Sequence, residues 1–123
     1  MNSKIKTFIK CYRVEIFFVL FCFFFYLAWA LFIPYGGGPD EDMRYDIARF
    51  IYDNNRLPIG NEPEIVNLVW GTSYGYTPIF AYQIAAIFMK IFAFFGLGED
   101  LLFYAARFSN VVISTLTVIF VLK

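Results

Sequence analysis

Ile16 to Ile33 is an unbroken run of eighteen apolar or aromatic residues. A helix needs about 20 such residues, at 1.5 Å rise each, to cover the hydrocarbon core of a bilayer. The run therefore predicts a transmembrane helix over 16–33, which Val14 and Glu15 extend at its inner edge. Pro34 and Gly36 to Gly38 end it and open a long polar segment. Within that segment Met43, Ile47, Phe50 and Ile51 recur at i, i+4, i+7 and i+8. That spacing makes one apolar stripe and predicts an amphipathic helix over 41–54. Asp40 is its expected N-cap. Pro63 to Trp70, with Ile65, Leu68 and Val69 on one side, is read as a second short helix stopped by Gly71. Thr77-Pro78 then opens a second apolar stretch over 78–95, interrupted only by Gln83 and Lys90. Gly96 to Asp100 reads as a tight turn, and 101–122 as a third span. The pattern thus predicts an all-α membrane protein of three transmembrane helices, with an outer loop carrying one or two amphipathic helices.

Composition strengthens the membrane reading. Hydrophobic residues are 60% of the 123-residue chain and aromatics 23%, with 17 Phe. A soluble domain of this size has too little interior to bury them. The Ala28-Trp29-Ala30 triplet mimics a signal-peptide cleavage site, but the apolar run continues past it through Ile33, which favours an uncleaved helix. Net charge is zero, yet its distribution is uneven. Lys4, Lys6, Lys10 and Arg13 precede the first run, whereas the loop over 34–77 holds seven acids, three arginines and no lysine. The positive-inside rule then places 1–15 in the cytoplasm and the loop outside. With three spans, the 96–100 turn falls back on the cytoplasmic side, and Lys90 is expected to snorkel there. Cys11 and Cys22 are expected to be reduced and unpaired, on the inner flank or within the membrane. The chain has no His, which excludes histidine acid–base chemistry and histidine metal ligation. No basic patch suggests nucleic-acid binding.

The acidic turn Asp40-Glu41-Asp42 is the most promising place for chemistry. A carboxylate at a membrane–water boundary can act as a general base on an acceptor hydroxyl or amine. Asp40 and Asp42 are also hard oxygen ligands for a divalent cation such as Mg²⁺ or Mn²⁺. The plainer alternative is a helix cap and its dipole partners. Arg44, Arg49 and Arg56 can grip phosphate oxygens or pair with nearby acids such as Asp46 and Asp53. Tyr74, Tyr76 and Trp70 can stack on a sugar or anchor the loop at the interface. Arg107 lies inside the third apolar stretch, where it either snorkels or pairs within a bundle. That stretch also holds Ser109, Asn110, Ser114, Thr115 and Thr117, so it is expected to face further helices or partner subunits.

The order of these features resembles a known family. Pro39-Asp40-Glu41 opens an outer amphipathic helix after one span. Arg56-Leu57-Pro58, Trp70-Gly71 with Tyr74, Thr77-Pro78 and Ala105-Ala106-Arg107-Phe108 follow in order. From about Ile16 to Leu122 this is similar to the N-terminal part of GT-C-type integral-membrane glycosyltransferases. It most resembles the superfamily of protein O-mannosyltransferases and aminoarabinose lipid A transferases, with their uncharacterised bacterial multi-pass relatives. The resemblance implies a sugar donor on polyprenyl phosphate and transfer at the outer face. It also implies an active-site acidic pair at Asp40 and Glu41; Arg44, Arg49 and Tyr74, by their own chemistry, are the expected substrate-binding residues beside it. Many such proteins carry a His soon after the acidic pair, and this chain has none. They also have many more spans, so the chain is expected to be a fragment or module that is inactive by itself. Two other readings remain at this stage. One is a non-enzymatic membrane subunit that binds a partner through its outer loop. The other is a transporter fragment with Gln83, Arg107 and Asn110 along a path.

Overall fold

The computed structural model describes residues 12–69, 71, 73, 75 and 79–123. Helix is the regular secondary structure of the described residues, with no strand among them. The helices are α1 (Arg13–Phe32), α2 (Glu41–Asn54), α3 (Phe80–Phe94) and α4 (Leu102–Val121), the last preceded by a 3-10 turn at Glu99–Leu101.

Two stretches, Arg13–Phe32 and Glu99–Val121, are long and apolar enough to cross a membrane, with mean hydropathies of 2.3 and 1.5. No residue of α1 is buried, and Phe17, Phe24 and Phe32 stand out from it. α3 is apolar but has only 15 residues, about 22 Å of helix. That is short of the roughly 30 Å hydrocarbon layer.

α1 and α4 run antiparallel with their ends matched. At one end Tyr12, Glu15 and Ile16 share a cleft with Ile119, Leu122 and Lys123. At the other, Ala30, Ile33 and Pro34 meet Arg107, and Tyr35 stacks edge-on to Phe103 at 4.9 Å. Everything between the two helices therefore leaves and re-enters at the same end.

α2 crosses the α3–α4 hairpin on its apolar face. Met43, Ile47, Ala48, Phe50 and Ile51 are its buried residues. Ala48 packs with Ala85, Met89, Leu102 and Ala105, while Ile47, Phe50 and Ile51 pack with Ala86 and Ile65. Alanines at these crossings leave room for the helices to approach closely. α3 ends in a Schellman turn: Gly96, at φ 91°, donates to the Ala93 carbonyl and Leu97 to that of Phe92.

Three expectations are corrected here. The 96–100 turn lies beside the helix of the loop rather than apart from it, since Arg49 of α2 pairs with Glu99 at 2.6 Å. Lys90 does not reach away from the loop either; its Nζ donates to Asn55 Oδ1 at the end of α2. The region 63–69 forms turns rather than a second amphipathic helix. The reason is Glu62, whose carboxylate accepts the N–H groups of Ile59 (2.8 Å) and Gly60 (2.9 Å) and an Arg56 N–H (2.9 Å). It curls the chain there, buries Ile65, and leaves Leu68 97% exposed. The backbone N–H of Ile59, aided by Arg56, holds the Glu62 carboxyl down at about 2. The Thr77-Pro78 start of the second apolar stretch lies outside the described residues.

Ala48 tests this packing. Ala48→Leu is expected to destabilise the fold by about 1–3 kcal/mol through overpacking, whereas Leu68→Ala changes it little. Denaturation in detergent micelles, followed by circular dichroism, measures both.

Candidate functional site

The acidic turn and Arg107, 66 residues apart in the chain, form one structure. The chain leaves α1 at Ile33, whose N–H reaches the Trp29 carbonyl, and Pro34 supplies no donor to continue the helix. Gly37 closes the turn with an N–H to the Pro34 carbonyl at 3.0 Å. A Cβ at Gly37 would sit 2.7 Å from Ile33 Cγ2, so the bend admits no larger residue without a shift.

Asp40 then takes a left-handed conformation, φ 53°, and makes no side-chain capping hydrogen bond. Asp40 thus occupies the expected N-cap position without a side-chain cap. The Glu41 carboxylate turns back to accept the Gly38 N–H at 3.4 Å, and the Asp40 carbonyl receives the Arg44 N–H at 3.1 Å. A non-glycine residue at positive φ is strained.

Arg107 lies against this turn from α4. Its Nε donates to Glu41 Oε1 at 2.6 Å and Nη2 to Glu41 Oε2 at 2.8 Å. Nη1 donates to the carbonyls of Ala30, at 2.7 Å, and Ile33, and Nη2 also to that of Pro34 at 3.1 Å. A guanidinium has five N–H donors, and all five are used. The Phe103 ring covers its face at 4.1 Å. The carbonyls at the end of α1 carry the negative end of its dipole, which favours a cation there. The side chains of both ions are largely shielded, 12% exposed for Arg107 and 19% for Glu41. The Arg107 guanidinium holds the Glu41 carboxyl below its usual 4.5, against the opposing effect of burial.

The structure separates the remaining candidates. Asp40, Asp42 and Arg44 are exposed around the start of α2. Arg49 pairs with Asp53 at 2.8 Å and with Glu99 at 2.6 Å, so its guanidinium is committed to acids rather than open to a phosphate. Tyr74, Trp70 and Tyr76 lie outside the described residues. No group of three or more acidic or cysteine side chains that could hold an ion occurs among the described residues. A cation at Asp40 and Asp42 would need most of its six or more oxygens from water or substrate. Gln83 lines a cleft with Asn55 and Lys90, apart from the one that Arg107 and Asn110 line. The three residues proposed for a transport path do not share one.

That second cleft, of about 240 Å³, opens beside the turn between α1 and α4 and is lined by Tyr26, Trp29, Glu41, Arg107, Asn110 and Ser114. Chemically, the site offers two exposed aspartates at the start of α2 and an ion pair that fixes the turn. Comparison with protein-family models, with curated proteins and with solved structures finds no match to this chain.

The role of Arg107 was only half legible in the sequence. A lone arginine in an apolar stretch signals a partner, but nothing in the spacing names Glu41. Glu41→Gln is expected to cost about 3–5 kcal/mol, because it leaves a shielded guanidinium without its counter-charge. The pH dependence checks the assignment. The folded-state pKa of Glu41 is lowered, so the pair contributes fully above about 4.5 and fades only as pH falls through the lower folded value. Thermal melts of the parent chain and Glu41→Gln should differ at pH 7 and converge in strong acid.

Proposed function

We propose that the chain is a membrane hairpin holding an acidic turn at the outer face, and that this turn is one wall of a glycosyl-transfer site. The donor is a sugar on polyprenyl phosphate. The observation that carries the reading is the Arg107–Glu41 pair, which ties the start of α2 to the adjacent ends of α1 and α4. Asp40 is thereby held at the mouth of the hairpin and open to water.

In this reading α1 and α4 cross the membrane. The basic N-terminal residues and Lys123 lie at the cytoplasmic end. Residues 33–101, with Glu99 and Asp100 beside the acidic loop, lie outside. The cluster of Lys4, Lys6, Lys10 and Arg13 just before α1 supports it, since Lys and Arg flanking a span favour the cytoplasmic side. α3 does not complete a third crossing. It rests against the outer part of the hairpin, with Ile87, Ile91 and Phe94 exposed to the outer leaflet.

Asp40 is the proposed base. It accepts the proton of an acceptor hydroxyl as that oxygen attacks the anomeric carbon, and the bond from carbon to the phosphate oxygen breaks to release polyprenyl phosphate. Glu41 is a positioning residue, because both its oxygens are taken by Arg107. Asp40 and Asp42 would hold a divalent cation, if one is used, to neutralise the departing phosphate. Further helices or subunits supply the remaining walls of the site.

A second reading is a non-enzymatic subunit. It draws on the apolar tip of the outer segment, where Ile59, Leu68 and Val69 are 73%, 97% and 83% exposed. One pair of variants separates the two. If Asp40 is the base, Asp40→Asn lowers sugar transfer by about 10²–10⁴-fold at an unchanged membrane level, and Leu68→Asp leaves transfer intact. The opposite pattern, with partner capture lost in Leu68→Asp, favours the subunit.

The topology has its own test. In a chain with Cys11 and Cys22 replaced, Asn61→Cys and Asp100→Cys should react with a membrane-impermeant thiol reagent from the outside. Lys123→Cys should react only after permeabilisation. Labelling of Asp100→Cys only from the cytoplasmic side would restore three spans.

A further inference from the structure

α4 carries several polar side chains in an apolar stretch, and most are satisfied within the chain. Thr115 and Thr117 donate to the carbonyls of Val111 and Ile113 one turn back, and Ser109 to that of Ala106. Arg107 uses all five donors. Asn110 and Ser114 differ. Among the described residues neither side chain has a hydrogen-bond partner. They are one helical turn apart and line the same cleft, with Asn110 exposed and Ser114 half-buried.

Their depth makes this consequential. At 1.5 Å per residue they lie about 4.5 Å and about 10 Å further along α4 than Arg107. In a membrane hairpin that is within the outer half of the hydrocarbon layer. An amide there has no bulk water to bond with, and polar side chains in spans are satisfied across helix–helix contacts.

We propose that Asn110 and Ser114 form the pairing face for a second copy of this chain, related by a two-fold axis along the membrane normal. Three points lead to that occupant. First, the need is for neutral groups, because the charge of Arg107 is already met by Glu41; an acidic or basic partner helix has nothing to answer. Second, an asparagine amide is both donor and acceptor, so Asn110 is complementary to itself, as a two-fold contact requires. Third, copies inserted with the same topology bring Asn110 to Asn110 and Ser114 to Ser114 at equal depths. The cleft, about 240 Å³ beside Tyr26 and Trp29, has room for a partner's amide.

The proposal rests on the membrane-hairpin reading above. The test therefore begins with alkaline carbonate extraction of membranes containing the full chain. Release into the supernatant would overturn the hairpin, and the dimer with it. If the chain is retained, the dimer is tested by itself. Donor- and acceptor-labelled chains, with Cys11 and Cys22 replaced and Lys123→Cys carrying the dyes, are reconstituted into phosphatidylcholine vesicles. Energy transfer is then followed as lipid dilutes the protein. Transfer above the random-proximity level is expected. Asn110→Ala should weaken association about tenfold, Ser114→Ala less, and Leu116→Ala, an exposed residue turned well away from both, not at all. Asn110→Cys should form an interchain disulfide on mild oxidation, with helicity unchanged by circular dichroism. Transfer at the random level, equal transfer in Asn110→Ala, or an Asn110→Cys cross-link made to a different protein in native membranes would each overturn the pairing.

Discussion

Arg107 decides how the parts of this chain fit together. One guanidinium satisfies the last carbonyls of α1 and both oxygens of the first residue of α2, and it is itself carried by α4. A cation in so apolar a setting is costly unless it is fully paired. Here the pairing is complete, so the same cost that forbids a stray charge becomes a strong preference for one arrangement. The aromatic triad of Tyr35, Tyr45 and Phe103 seals the junction from the other side, with ring centroids 4.9–6.0 Å apart.

The pair also sorts the three acids of the turn. Neighbours in sequence are given different work by their surroundings. Glu41 is spent on Arg107 and its own backbone, while Asp40 and Asp42 stay open to water. Arg49 shows the same logic on the next turns of α2. Its position suggests a phosphate ligand, but Glu99, brought in by the α3–α4 turn, takes it.

Much of the architecture was legible in the residues. The apolar run over 16–33 and the stripe of Met43, Ile47, Phe50 and Ile51 carry strong periodicity, and each forms a helix whose exposed or buried face follows from it. The stretch over 78–95 was harder. Its composition resembles that of a span, but the helix is only 15 residues long, and it buries Ala85, Ala86 and Met89 against its neighbours. Apolar content alone does not distinguish a helix bathed in lipid from one buried on one side by protein. The turns around Glu62 were illegible for another reason. Apolar spacing at Ile65, Leu68 and Val69 favours helix locally, yet one buried carboxylate collecting two backbone N–H groups outweighs it.

The sequence by itself determined the class of the protein. So many Phe in so short a chain, with two segments long and apolar enough to cross a bilayer and four of its ten Lys and Arg residues just before the first, point to helices with apolar surroundings. Which end of each helix meets which was decided only in three dimensions. Counting apolar runs alternates their sides mechanically and sends the 96–100 turn to the far face. The shielded pair of Arg107 with Glu41 ties the acidic loop to α4, because opposite charges in a poorly solvated setting must meet directly, and the packing of α2 on α3 and α4, with the exposed Arg49–Glu99 pair beside it, brings that turn back next to the loop. Such pairings join residues 66 and 50 positions apart, and no local pattern encodes them.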